Sequence, residues 1–503
     1  MKKCLLFLVM FFVAAGVTTQ AAYYHYNDDD SPKLTQAYPQ LAGTKLDSCT
    51  TCHAGGTYQG KTVGSCQWCH ITYGYDGSGD INETLNSYGK DYMAHGESIN
   101  ALTAIEPLDS DKDGYTNIQE IDAITFPGDP NDNPGKVPAP RYTYTLSELE
   151  ALARYKEFLL MNTARSGDYC AEYEGPTMLD LLNDAGMVSK EGSGSCSTWN
   201  DVMAAYQTYV SGQSTWNDVI SCYTGYTMPD PTVTAFAPDG FSWTYLMDPI
   251  PGSTLYYING TYPQSQYYYD PQADKALNPV SGWCDYSAPS CRGRNNGDII
   301  TVQGGLKHIF AFKRDGEYLV PGQLDDQNRL DINTEGPFRA VPPQMVPGPP
   351  DQSATSAYQD VVWPYNTACG QTCDHNAGSS VRCVVAIRVE PLPAGTTDFN
   401  WYEGGWDYID SKQFVVYGNI LNGNASGTVT KKGTTQPIDK VKIASDRGGY
   451  ITLTNSTGSF SLVGLKLGTY TLTASATGYK SASQTVIIKE GVTATVNLAL
   501  ESD

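Results

Sequence analysis

Basic residues are scarce in this sequence. Thirty-two Lys and Arg face 54 Asp and Glu, a formal net charge of -22. A surface of that sign repels a phosphate backbone, so nucleic acid is excluded as a partner. Charge of either sign is sparse, at 17% of residues, and histidine is rarer still, with 6 in 503 positions. Any imidazole chemistry therefore rests on few candidates. Long hydrophobic runs are also missing. The one extended apolar stretch, Leu5 to Val17, has thirteen residues, short of the roughly 18 that cross a bilayer, and no later run reaches that length. It follows Lys2 and Lys3 and precedes Thr19-Gln-Ala21-Ala22, the arrangement of an export signal cleaved near Tyr23. The expected protein is therefore exported and not membrane-spanning, residing in the periplasm, on the outer surface or outside the cell. Cys4 precedes the apolar run and is not placed for lipid attachment. Abundant instead are Gly (49), Pro (29) and Tyr (36), which suit a loop-rich, β-heavy chain. At 40% hydrophobic residues the chain can form cores and is not disordered, and its length predicts about three domains.

The thirteen cysteines divide into groups. Cys4 leaves with the leader, and four others form Cys49-Thr-Thr-Cys52-His53 and Cys66-Gln-Trp-Cys69-His70. In Cys-x-x-Cys-His, two thiols add to the vinyl groups of a haem and the adjacent imidazole binds its iron. Disulfides or a four-ligand zinc site would also use such cysteines, but neither needs a His directly after both pairs. Two covalent c-type haems are expected, with His53 and His70 as iron ligands. Four histidines remain for the sixth positions: His25, His95, His308 and His375. His25 and His95 lie nearest the motifs and are the expected distal ligands, with Met93 a competitor beside His95. Bis-His ligation implies a lower potential than Met/His. The remaining cysteines, Cys170, Cys196, Cys222, Cys284, Cys291, Cys369, Cys373 and Cys383, form an even set in an oxidising compartment and read as disulfides. Proximity in sequence favours Cys284 with Cys291 and Cys369 with Cys373.

Asp109-Ser-Asp111-Lys-Asp113-Gly114-Tyr115-Thr-Asn117-Ile-Gln-Glu120 matches the twelve-residue Ca²⁺ loop at every ligand position, with Gly at six for the sharp turn and Glu at twelve as bidentate ligand. Tyr115 would contribute its carbonyl. Ile99, Leu102 and Ile105 predict a helix before the loop, and Pro127 bounds the helix after it. A solitary loop of this kind predicts a structural site of modest affinity.

Beyond Pro140 the pattern becomes mixed. Leu146 to Leu160 predicts a helix, Thr177 to Gly186 predicts another closed by Gly, and Ser-Thr-Trp-Asn-Asp-Val opens at both Ser197 and Ser214 with Ser/Thr caps. From Asp239 strands and turns dominate, including a Tyr-rich stretch from Tyr256 to Tyr269, a pattern used in strand packing and in carbohydrate platforms. From about Tyr417, alternation of Thr, Val and Leu between Gly turns predicts an antiparallel sandwich of roughly 85 residues.

Three resemblances accompany these readings. Gly458-Ser-Phe-Ser-Leu-Val-Gly-Leu and Gly468-Thr-Tyr-Thr-Leu-Thr-Ala resemble the carboxypeptidase regulatory-like, transthyretin-like modules of exported bacterial proteins, which implies a spacer or adhesion role. Thr334-Glu-Gly-Pro-Phe-Arg339, Asp-Val-Val-Trp-Pro-Tyr365 and Asp374-His-Asn-Ala-Gly378 resemble the exported GEGP motif-containing dihaem family from the haem motifs to about Tyr417, although Thr334 stands where that name has Gly. Within that span, Tyr-Glu-Gly-Pro-Thr-Met-Leu-Asp-Leu-Leu-Asn-Asp-Ala-Gly186, Asp239-Gly-Phe-Ser and Ala311-Phe-Lys-Arg-Asp-Gly-Glu-Tyr-Leu319 resemble the molybdopterin domain of sulfite oxidases. This last resemblance bears on fold more than on cofactor. Cys170, nine residues before Leu179, lacks the Asn and Arg that follow the metal-binding cysteine in that family. Molybdopterin is therefore not expected, and Arg339, His375, Ser379 and Arg382 are left as a polar group suited to an anion or small ligand.

The expected organisation is a leader over 1–22, a mostly α dihaem and calcium head over 23–140, an α+β sulfite oxidase-like domain over 141–416 and an all-β sandwich over 417–503. The expected function is electron transfer to redox partner proteins or extracellular acceptors, by a carrier more than a catalyst. The alternatives are a haem-linked oxidoreductase with a molybdopterin-like middle domain and a surface carbohydrate-binding or structural protein.

Overall fold

The computed structural model describes residues 30–58, 60–73, 80–161, 169–187, 199–213, 215, 232–249, 255–267, 299–325, 330–331, 333–346 and 376–503, without the side chains of 70, 73, 199–202 and 401–404. The expected leader, His25, His375, Ser197, Ser214 and six of the presumed disulfide cysteines (Cys196, Cys222, Cys284, Cys291, Cys369 and Cys373) lie outside the described residues.

The first segment carries α1 (Asp30–Ala37), a hairpin of β1 (Gly56–Tyr58) and β2 (Lys61–Val63), then α2 (Ser65–Tyr73), α3 (Ser87–Ala94), α4 (Ile99–Ile105) and α5 (Asn117–Ala123). No helix here exceeds nine residues, and turns and irregular chain make up much of the rest, which corrects the expectation of a mostly α head. Helices this short are marginal alone, so caps and packing hold them. Asn86 Oδ1 accepts from Gly89 N at 2.8 Å to start α3, and Ser98 Oγ accepts from Ala101 N at 3.2 Å to start α4. Leu34, Tyr88, Leu102, Ile105 and Ile121 form the buried core of this segment, and Leu453 from the C-terminal region completes it.

The rest of the chain is built on strands. One nine-stranded sheet runs in the order Tyr479–Lys480, Thr493–Ser502, Asn422–Lys431, Ser459–Lys466, Arg141–Thr145, Gln413–Gly418, Ala386–Val389, Val233–Phe236, Ser242–Tyr245. Its C-terminal strands meet the others through a single parallel pair, Leu465 with Arg141. A second sheet of Ile451–Leu453, Lys442–Ser445, Gly468–Ser475 and Ala482–Ile488 packs on those C-terminal strands, with Leu472, Val486, Val429 and Val496 in one core. That is the sandwich the alternating pattern predicts, except that it is not wholly antiparallel: Asn422–Lys431 and Thr493–Ser502 pair in parallel. Its contacts reach both neighbours: Lys466 Nζ donates to Asp184 Oδ2 at 2.5 Å, Leu421 N to Gly186 O at 2.7 Å, and Lys440 pairs with Asp122 at 2.9 Å.

Helix Met178–Ala185 starts where Thr177 Oγ1 accepts from Asp180 N at 3.0 Å and stops at Gly186 with φ 81°, as read from the sequence. The stretch Leu146 to Leu160 differs. Its helix ends at Ala151, and Tyr155–Met161 is a strand zipped over seven residues to Tyr169–Gly175. Leu159, Leu160 and Met161 are all buried there, and an apolar run that short satisfies strand and helix equally until a partner decides. Among the described residues no helix is long and apolar enough to cross a membrane.

Candidate haem and metal sites

Cys49–Thr51 forms one tight turn, in which Cys52 N and His53 N both donate to Cys49 O, at 3.1 and 2.9 Å. The segment from Thr84 to Gly89 cradles it. Thr84 O accepts from Ala54 N at 2.8 Å, Asn86 N donates to Cys52 O at 2.9 Å, and Asn86 Nδ2 donates to Thr50 O and Thr51 O at 3.2 and 3.1 Å. Gly89 is required at this approach, because a Cβ there would stand 2.2 Å from Cys52 O. His53 Nδ1 lies 2.7 Å from Thr84 Oγ1, and that hydroxyl donates to Ile81 O at 2.7 Å. With its proton committed, the hydroxyl accepts from the ring, so the proton sits on Nδ1 and the lone pair on Nε2, the tautomer that ligates iron. His53 lines a cleft of about 360 Å³ with Thr50, Gly55, Gly64, Asn86 and Asn400.

The second motif opens α2, where Cys66 and Cys69, three apart, share a helix face. His70 follows in the helix, and its side chain is outside the described residues. Trp68 lies flat on the hairpin, so close that a Cβ on Gly56 would stand 2.3 Å from its ring. The two motifs abut: Thr50 Oγ1 and Ser65 Oγ are 2.6 Å apart and buried. Cys66 packs on a buried cluster holding Phe236, Cys383 and Trp406. Burial, then Asp407, raises its thiol well above the usual range; burial also raises Cys69, which a hydrogen bond to Thr84 opposes. Asp407 is itself pushed up to about 6, first by burial and then by Asp410 and Asp47. The second motif thus sits where the head meets the middle region. Among the described residues the four motif cysteines do not converge on a metal cluster. Two thiols followed by a tautomer-fixed imidazole facing a cleft fit a c-type haem.

His95 caps the far end of α3, exposed, with Nδ1 2.7 Å from Asp91 O, about 9 Å along the axis from Gly89 at 1.5 Å per residue. Met93 beside it is also exposed. His308 is buried in the middle region, edge-on to Tyr245 at 4.6 Å, and burial lowers its pKa to about 3.

In the calcium-type loop, Asp109, Asp111 and Asp113 present oxygens within 4.8 Å of one another. Asp109 shapes the turn by accepting from Lys112 N, Asp113 N and Gly114 N at 2.8, 3.1 and 3.0 Å, and Gly114 takes φ 101°. Tyr115 N donates to Asp113 Oδ1 at 2.9 Å. Glu120 reaches in from α5, fully buried, and neither of its oxygens has a hydrogen-bond partner; Asp111 Oδ2 and Asp113 Oδ2 are in the same condition. Burial, followed by the charges of Asp111, Asp113 and Asp109, pushes Glu120 up to about 9; burial and Asp113 push Asp111 up to about 6. Buried carboxylates without donors are costly. A hard divalent cation supplies the missing charge, and this oxygen-only set suits calcium. Asn117 turns the other way, into the loop base, donating to Ile105 O at 2.8 Å and Ser110 Oγ at 2.9 Å.

The polar group of the middle region is internally satisfied. Arg339, 3% exposed, donates to Glu335 Oε2 at 2.5 Å, Ser380 Oγ at 2.8 Å, Tyr173 Oη at 2.9 Å and Tyr169 Oη at 3.1 Å. Arg382 donates to the carbonyls of Asp331 and Thr334, at 3.1 and 3.2 Å, and Ser379 O accepts from Tyr245 Oη at 2.6 Å. Arg339 shares the Glu335 carboxylate with Arg314. Cys383 is a thiol, which corrects the disulfide expectation for it. Cys383 is fully buried against Gly322, where a Cβ would lie 2.9 Å from its sulfur.

Residues 424–501 match the carboxypeptidase regulatory-like domain family. No curated protein matches the chain. Similar solved structures include the TIE protein of Bacillus anthracis, 18% identical over 18% of each chain with a TM-score of 0.15. Two others are the minor pilin GBS52 of Streptococcus agalactiae, 20% identical over 18% of this chain and 53% of that one (TM-score 0.15), and the pilus 2b backbone protein of group B streptococcus, 11% identical over 54% and 78% (TM-score 0.14). The chain thus spans less than two thirds of the TIE protein and of the minor pilin, and at these TM-scores the likenesses carry no argument.

Proposed function

We propose that the chain is an exported dihaem c-type cytochrome that carries electrons at the cell envelope or outside the cell, its haem segment braced by calcium. The observation that supports this most is His53 Nδ1 held 2.7 Å from Thr84 Oγ1, directly after the Cys49 and Cys52 pair. Bound haem supplies one-electron chemistry, while the chain supplies attachment, ligand orientation and burial. Cys49 and Cys52 hold one haem and Cys66 and Cys69 the other. His53 and His70 give the proximal nitrogens; His25 and His95 are the proposed distal ligands. Asp109, Asp111, Asp113, Glu120 and the Tyr115 carbonyl hold the calcium. A net charge of -22 favours redox partners or extracellular acceptors that present positive charge. The GEGP dihaem membership and the sulfite oxidase-like arrangement of 141–416 belong to the same proposal. Haem staining of a denaturing gel with native-export protein tests it: a haem-positive band at full length is expected, and an unstained band refutes it.

A second reading, a surface structural or carbohydrate-binding protein, is supported by the regulatory-like module at 424–501. It predicts protein that folds fully without iron. The remaining alternative is a molybdopterin-linked oxidoreductase.

A further inference from the structure

Helix α5 is engaged on two sides. At seven residues it is too short to be stable alone. It carries Glu120, the twelfth-position residue of the calcium-type loop, which is buried with both carboxylate oxygens unpartnered. The C-terminal module covers another side of the helix. Ile121 lies in the core of the haem segment with Leu453, and Ile451 packs against that core. Asp122, next along the helix, pairs with Lys440 at 2.9 Å. A further tie lies beside these, where Lys442 Nζ donates to Ala42 O at 2.9 Å. The module presents these residues as one edge, because strand Lys442–Ser445 pairs with Ile451–Leu453 and Lys440 N donates to Thr454 O at 2.9 Å. Lys440 takes φ 56°, a left-handed conformation that a residue with a Cβ rarely adopts and keeps only where its surroundings demand it. Over 417–503 basic residues outnumber acidic ones, the reverse of the chain as a whole, so the module brings cations to an acidic head.

We propose that the C-terminal module is a positioning partner of the calcium site: Leu453 and Lys440 hold α5 so that Glu120 stands in the ligand position, and calcium in turn fixes the face on which the module docks. This rests on the calcium reading above and gives the module a part beyond that of a spacer. Released from the module, a helix this short frays, and the apparent Kd for calcium rises as the fraction of chains with Glu120 in place falls. Linkage makes the effect mutual, so calcium must tighten docking by the same factor by which docking tightens calcium binding. The haems and the calcium loop therefore share one scaffold with the module, and loss of calcium loosens the module from the haem segment.

The test is calorimetric titration of calcium into the full-length, chelator-treated protein, with hydrogen exchange followed on the same samples. Leu453→Ala is expected to raise the Kd about fivefold or more. Lys440→Glu discriminates by sign: an added negative charge beside the loop would by attraction alone tighten cation binding, whereas lost docking weakens it. Weaker binding is expected. Lys432→Glu makes the same charge change at an exposed pair with Glu501 and should not weaken binding. In the reverse direction, calcium should slow exchange at 438–454 as well as at 109–123 in the wild type, and at neither in Glu120→Gln. Unchanged affinity in Leu453→Ala, binding by Lys440→Glu as tight as wild type or tighter, or exchange at 438–454 that calcium leaves unchanged each overturns the proposal. A wild type that binds no calcium overturns instead the reading on which it rests. Should Leu453→Ala fold poorly, Lys440→Glu and the wild-type exchange decide the matter without it.

Discussion

Glu120→Gln should make the protein more stable without calcium and weaken its response to calcium. In the absence of a cation the buried carboxyl, with a folded pKa of about 9 against 4.5 in the unfolded chain, stays protonated at pH 7 while the unfolded form ionises. At 1.36 kcal/mol per pKa unit, that difference costs about 3 kcal/mol at pH 7. Because the folded pKa is raised, the stability is fully present below about pH 4.5 and is lost progressively as pH rises towards 9. Glutamine keeps the shape and carries no such penalty. Calcium narrows the gap. A solitary site with Kd on the order of 10⁻⁴–10⁻³ M in 10 mM Ca²⁺ stabilises the wild type by roughly 1.4–2.7 kcal/mol, and the variant loses most of that. Urea unfolding of the haem segment, at pH 5 and pH 8 in chelator and in calcium, reads all four conditions. The wild type should lose stability from pH 5 to pH 8 in chelator and recover with calcium, whereas the variant should respond weakly to both, with a residual slope near pH 6 from Asp111. A variant less stable than wild type in chelator, or a wild type indifferent to calcium, would refute the reasoning.

Cys52→Ser and Cys69→Ser should each remove one haem equivalent by pyridine haemochrome, leaving the other. His25→Ala and His95→Ala should each abolish one low-spin component in the visible or EPR spectrum, and unaltered spectra in both variants would exclude these distal ligands. Leu453→Ala removes a buried side chain from the core of the haem segment and should cost about 2–5 kcal/mol, whereas Lys440→Ala breaks a pair with both ends more than a third exposed and should cost under about 1 kcal/mol. Melting curves of the two variants separate these magnitudes, and equal losses would contradict the docking described.

The candidate attachment and coordination motifs are read from the sequence alone. Cys49 to His53, Cys66 to His70 and Asp109 to Glu120 carry their meaning in their spacing. The supporting residues do not. Thr84, Asn86 and Gly89 act because the fold returns that segment to Cys52 and His53, and a Thr, an Asn and a Gly between helices signal only turns and caps. The even count of cysteines pointed to disulfides, yet Cys383 packs as a buried thiol against Gly322, a placement no count reveals. Leu146 to Leu160 failed as a helix because apolar spacing is ambiguous over so short a run. The alternating C-terminal strands were plain, but their edges were not: strand Gln413–Gly418 crosses the seam expected at Tyr417, and Leu453 belongs to the core of the haem segment.

Intact mass spectrometry of the secreted chain, with pyridine haemochrome quantification on the same sample, tests the central claim most directly. The account predicts the chain mass plus two covalently bound haems and two equivalents of haem iron, retained after denaturation. A chain at its unmodified mass, folded and free of iron, would contradict it.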